Sequence, residues 1–214
     1  MDEEISIINN STRNEKIKNF FIYNKKKLFF SVSIILILII SYLTYEQFLI
    51  KKKINLSNKY NESSLNFSLE NKMKVKKEMI DIVYKKDKTY SPLALYFIID
   101  NNIISSDKEI NELFDIIFEI NKLDEEIKNL VIYKKGLFNS NFEGENNLII
   151  ILNPILNSNS IWKSHALFLM GEYFLNNNEK IKAKEFFEKI LVLENSNPDI
   201  KLETQKIIQR DLSE

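Results

Sequence analysis

The sequence predicts an all-α protein: a single N-terminal transmembrane helix followed by a solenoid of αα-hairpins. Three observations predict it. The 18 residues from Leu28 to Tyr45 carry no charge. Only 3 Gly and 3 Pro occur in 214 residues, so few helix breakers interrupt the chain. Beyond residue 60, apolar residues recur at helical spacing in short blocks separated by polar turns. Composition also removes chemistry. With 0 Cys and 1 His, thiolate sites, multi-histidine metal sites and a catalytic triad are not expected. Gly136, Gly144 and Gly171 lie too far apart for a phosphate-cradling loop. Lys+Arg and Asp+Glu both number 30, and this zero formal charge argues against a nucleic-acid binder. No catalytic residue, cofactor, metal or small-molecule substrate is expected.

Residues 1–24 are polar and rich in Asn and Ser, and read as a mobile cytoplasmic tail that allows a short amphipathic helix over Glu15 to Tyr23. Residues 25–50 read as the transmembrane helix with basic flanks. At 1.5 Å rise per residue, its uncharged core spans about 27 Å, close to a bilayer's hydrocarbon thickness. Leu28, Ile34, Ile35, Leu36 and Ile40 represent the apolar body, and Tyr45 lies toward one interface. Twelve Leu, Ile, Phe and Val residues between Leu28 and Leu43 favour insertion by about −4 to −7 kcal/mol in total. A cleavable signal peptide fits less well, because the run is long and bulky and no Ala-x-Ala pattern follows it. Arg13, Lys16, Lys18 and Lys25 to Lys27 precede the run, whereas Lys51 to Lys53 and Lys59 follow it. This small excess places the N-terminus in the cytoplasm.

Residues 51–214 read as the helical domain. Leu65, Leu69, Met73, Ile80 and Val83 recur at helical spacing, with a weak break at Glu70-Asn71. Asp87 to Ser91 reads as a loop and Pro92 as a first-turn proline. Ser106 is an expected N-cap ahead of the stripe Ile110, Leu113, Phe114, Ile117 and Phe118. Leu123, Ile127, Leu130 and Val131 predict a helix ending near Gly136, before a polar loop over Asn139 to Glu145. Leu148 to Leu156 has the β-branched content of a strand. Pro154 and the want of a pairing strand favour a helix kinked near the proline.

The clearest unit spans 161–198. The tetratricopeptide pattern is W-x2-L-G-x2-Y, then A-x3-F, then P. Here the chain offers Leu167-x2-Met170-Gly171-x2-Phe174, then Ala183-x3-Phe187, then Pro198. Gly171 lacks a Cβ and lets two helices approach, Ala183 is the small residue opposite, and Phe174, Phe187 and Ile190 fill the space between. Asn176 to Asn178 makes the turn, and residues 199–211 form a capping helix. Leu stands where the pattern has Trp, and the proline comes a few residues late. An upstream unit around Ile98, Ile110, Phe114 and Ile117 has lost the glycine and alanine.

The Lys25-Lys26-Lys27 flank, the 28–45 span, Asn153-Pro154-Ile155 and the block His165 to Leu191 together resemble one family. It is the ancillary SecYEG translocon subunits, bacterial inner-membrane proteins with a tetratricopeptide repeat-like domain. The resemblance implies a single-pass anchor, a periplasmic repeat domain, and contact with translocon subunits, periplasmic chaperones or emerging clients. With Gly171 as the eighth position of a tetratricopeptide-like repeat, His165, Phe168, Glu172 and Leu175 fall on the inner face of the first helix, which in such folds lines a protein-binding groove. The plainer alternative makes Phe168 and Leu175 core, His165 a bystander and Trp162 a packing residue.

Charge is uneven. Residues 46–90 carry a net +5 and residues 91–214 a net −7. Lys72, Lys74, Lys76 and Lys77 could face anionic lipid or an acidic loop, or form an ordinary solvated surface. Asp124-Glu125-Glu126 reads as an exposed helix start rather than an acid–base pair. The expected function is a membrane-anchored scaffold mediating protein–protein interactions, accessory to the Sec translocon. The alternatives are a scaffold for envelope assembly or cell division, and, far behind, an enzyme. Membranes washed with high salt and alkaline carbonate are expected to retain the chain until detergent is added. Release by salt alone would refute the span.

Overall fold

The computed structural model describes residues 2–212, with side chains described at residue 13 and from residue 15 onward. Nine helices and no strand occur among the described residues. The apolar run 148–156 is accordingly helical, although Pro154 lies inside it. The chain divides between Ser57 and Asn58 into two compact units.

The first unit consists of helix α1, Asp2–Leu65, which continues past the boundary. Residues 2–24, read from the sequence as a polar tail that allows a helix over Glu15 to Tyr23, are helical throughout. The reason is local: no Gly or Pro occurs before Pro92, and Asn or Ser costs a helix only a fraction of a kcal/mol, roughly 0.5 each. The most apolar 18-residue window of α1 has a mean hydropathy of 2.3 and none of it is buried. By length and composition this helix is able to cross a membrane. Ile34, Ile35, Leu36, Ile40 and Tyr45 are exposed and Leu28 is half-buried. The hydroxyls of Ser31, Ser33 and Thr44 donate to the carbonyls of Lys27, Phe29 and Ile40, each at 2.9 Å. Such back-bonding satisfies hydroxyls where lipid offers no partner.

In the second unit, the last turns of α1 are tied down by Lys59 Nζ to Asp81 at 2.6 Å and Ser63 Oγ donating to Glu78 at 2.6 Å. Tyr60 packs edge-on against Phe97. Eight helices follow: α2 (Lys72–Tyr84), α3 (Tyr90–Asp100), α4 (Asp107–Phe118), α5 (Glu125–Asn139), α6 (Glu145–Leu156), α7 (Lys163–Asn176), α8 (Lys180–Leu191) and α9 (Pro198–Asp211). Successive helices contact one another, and contacts also join helices two apart: α2 to α4, α5 to α7, and α7 to α9. The most extensive contact is between α7 and α8.

A chain with so little glycine turns by other means. Lys86, Asn102, Lys122 and Asn178 have φ of 52°, 48°, 55° and 60°; Lys122 lies in the turn between α4 and α5, and the other three lie two residues past a helix end. At Asn178 this left-handed turn lets the Glu179 N–H reach the Phe174 carbonyl at 2.8 Å, and at Asn102 the Ile103 N–H reaches the Ile98 carbonyl at 2.9 Å. Both bonds satisfy a carbonyl that the helix end leaves open. Helix starts are capped as well: Ser106, Asp124 and Asn197 accept from the first-turn N–H groups of α4, α5 and α9.

Two expectations fail locally. The break expected at Glu70-Asn71 is longer, spanning 66–71, so Leu69 is not helical, and Leu65, Leu69 and Met73 are 84%, 85% and 78% exposed. Helix α5 does not end at Gly136 but runs to Asn139; Gly136 instead lies against Leu152 of α6, where a Cβ would clash.

The repeat-packing residues behave as a set. Leu167, Met170, Gly171, Phe174, Ala183, Phe187 and Ile190 are all buried, in one cluster spanning α5 to α9 apart from the glycine itself. A Cβ on Gly171 would lie 2.6 Å from Cε1 of the fully buried Phe187, whereas a Cβ on Gly144 would meet nothing. Gly171→Val is therefore expected to destabilise the second unit by about 2 kcal/mol or more through overpacking. Gly144→Ala is expected to change stability by less than about 0.5 kcal/mol, both read by thermal unfolding of the full chain in detergent.

Candidate functional site

Two adjoining furrows mark the surface formed by α3, α5 and α7. The first, about 540 Å³, lies between α3, α4 and α5; its walls include Tyr96, Asp100, Asp107, Lys134 and Phe138. The second, about 600 Å³, lies between α5 and α7 and includes Glu143, Leu169, Glu172, Tyr173 and Asn176. Leu137, Asn141 and Phe142 border both. Leu137 and Phe142 are 40% and 45% exposed, so the shared wall is an accessible apolar shelf. The shelf exists because α5 carries on past Gly136, which the sequence alone did not suggest.

Inside the first furrow, Lys134 Nζ lies 5.6 Å from the Tyr96 ring centroid, within cation–π range. The Tyr96 hydroxyl is buried without a hydrogen-bond partner, and burial pushes its pKa up. Glu172, at the second furrow, has its pKa raised by partial burial and then by the nearby charge of Glu203 on α9. Glu203 also pairs with Lys206 at 3.2 Å.

The groove expected from the sequence is only partly assembled. Glu172 borders the second furrow, but His165, Phe168 and Leu175 do not line it. Phe168 meets Phe187 edge-on at 5.6 Å, and both Phe168 and Leu175 pack on the core. His165 sits 4.9 Å from the Trp162 ring and 5.6 Å from that of Tyr133, while Trp162 and Tyr133 stack at 5.9 Å. Its Nδ1 is buried outside hydrogen-bonding geometry. Burial lowers the His165 pKa, and the Ile161 carbonyl offsets this only in part.

The charged stretches are mostly structural. Lys72 Nζ donates to the Asn102 carbonyl at 2.7 Å, Lys76 pairs with Glu109 at 3.0 Å and Lys74 faces Glu78 at 3.8 Å. Asp124 caps α5, and Glu126 accepts from Ser160 at 2.6 Å. Among the described residues, no group of His, Cys, Asp and Glu is placed to hold a metal ion. Comparison with protein families, curated proteins and solved structures finds no match for this chain.

Glu172 yields a pH test. Its folded pKa lies above the ordinary value of 4.5, so its stabilising contribution is complete below that value and lost as pH rises through the raised one. Glu172→Gln is expected to raise the unfolding midpoint at neutral pH and leave it unchanged well below 4.5. An equal gain at both pH values would remove the electrostatic cause.

Proposed function

We propose that this chain is a membrane-anchored, non-enzymatic helical-repeat protein whose second unit binds other polypeptides. The observation that carries the reading is the pair of adjoining furrows, with their apolar shelf, on a unit that follows an apolar helix long enough to span a bilayer. Contacts between helices two apart, and burial of the Gly171, Ala183 and Phe187 set, support a tetratricopeptide-like stack. Anchoring raises the effective concentration of a weak binder near a membrane partner.

The finer reading is an accessory of the Sec translocon and periplasmic chaperones, in a bacterial inner membrane, with residues 1–24 in the cytoplasm and residues 51–214 in the periplasm. Its support is the sequence resemblance and the slight basic excess before the span. Site-specific photocross-linking from Phe142 in intact cells tests it. Adducts with translocon subunits or chaperones are expected, along with loss of a C-terminal epitope when spheroplasts meet protease. Adducts with septal or envelope-assembly proteins would replace the translocon role with the scaffold role. A protected C-terminal epitope would reverse the topology.

A further inference from the structure

The walls of the two furrows are unequal in charge. Asp100, Asp107, Glu143 and Glu172 contribute four carboxylates, and Lys134 the one basic side chain. Lys134 is half-buried near the Tyr96 ring, and Lys72 reaches the first furrow's rim by donating to the Asn102 carbonyl, which leaves four carboxylates against two ammonium groups. Asp100 and Asp107 are exposed and Glu172 is partly so, whereas Glu143 is half-buried and accepts from Asn147 at 2.7 Å. The carboxylates lie on either side of the apolar shelf of Leu137 and Phe142 rather than in one cluster.

We propose that the furrows receive a cationic polypeptide segment, its Lys or Arg side chains paired with Asp100, Asp107, Glu143 and Glu172 and its apolar side chains resting on Leu137 and Phe142. The proposal rests on the polypeptide-binding reading above and names the partner's chemistry. Charge complementarity selects the occupant, since acidic walls repel nucleic acid and acidic segments while steering basic ones. The shelf between the carboxylates asks for apolar side chains interspersed with basic ones, which an inorganic cation or a polyamine lacks. The rim amides of Asn102, Asn141 and Asn176 each carry a donor and an acceptor, the pair a peptide backbone needs. A bound cation also relieves the mutual repulsion of Glu172 and Glu203.

The test uses the full chain in nanodiscs of net-neutral phospholipid, with empty discs as baseline. Three labelled dodecapeptides serve as probes: one of Lys, Leu and Ser, one with Glu in place of Lys, and one with Ser in place of Leu. The Lys/Leu peptide is expected to bind at least about tenfold tighter than either relative, and to weaken as salt is raised. Carbodiimide is expected to join its lysines to the four furrow carboxylates, not to Glu112, Glu185 or Glu188. Asp100→Asn with Glu172→Gln, verified as folded by helical circular dichroism, is expected to weaken it about tenfold. Equal binding of Lys and Glu peptides, lost in Leu137→Ser, would overturn the cationic preference and leave polypeptide binding standing. Binding of no peptide would overturn both. Carboxylates that become shielded from carbodiimide as the protein alone is concentrated would put a second copy in the furrows and overturn the proposal.

Discussion

The contact on which the second unit turns is that of Phe187 with the bare Cα of Gly171. Phe187 is fully buried, and its ring occupies the space a side chain at 171 would need. Close packing of this kind tolerates little added volume, because protein interiors are already near crystal density. The approach of α7 to α8 that it permits gathers residues of α5, α6 and α9 into the same cluster. It also sets the position of the solvent-facing side of α7, and so of Glu172 and Asn176 in the second furrow.

Around that contact the unit is assembled from polar residues used as fittings. Asn and Lys in left-handed conformations follow the ends of three helices, α2, α3 and α7, where glycine would be the usual choice. Lysines bridge between elements: Lys59 to Asp81, Lys76 to Glu109, Lys86 to Glu119, Lys135 to Asp115 and Lys182 to Glu145. Solvent screens such pairs, so their use is to fix which helix faces meet rather than to supply bulk stability. Lys76 and Lys86 carry positive charge from residues 46–90 to carboxylates of the acidic stretch that follows, while several acidic side chains of 91–214 stay at the furrow walls.

Legibility in the sequence follows the range of the interaction. The helical blocks, the Ser106 cap and the 161–198 hairpin depend on neighbours a few residues away, and were visible as periodicity and spacing. The groove was not. His165, Phe168, Glu172 and Leu175 share a helical neighbourhood, but the depth of α5 and α9 beside α7 turns Phe168 and Leu175 toward the core and leaves Glu172 at the surface. Tyr96, Asp100, Lys134 and Phe142 gave no signal, because their meeting depends on how α3, α4 and α5 stack.

The sequence by itself determined an all-helical chain with one uncharged run long enough to cross a bilayer, and a hairpin whose small and aromatic residues interlock. Those properties come from composition and local spacing, which folding does not alter. Only the tertiary structure decided that α5 passes Gly136, that Lys72 and Lys76 of α2 reach neighbouring elements, and that acidic walls flank an apolar shelf. Each of these needs side chains far apart in the chain to come within a few ångströms, and helical periodicity carries no record of which faces will meet.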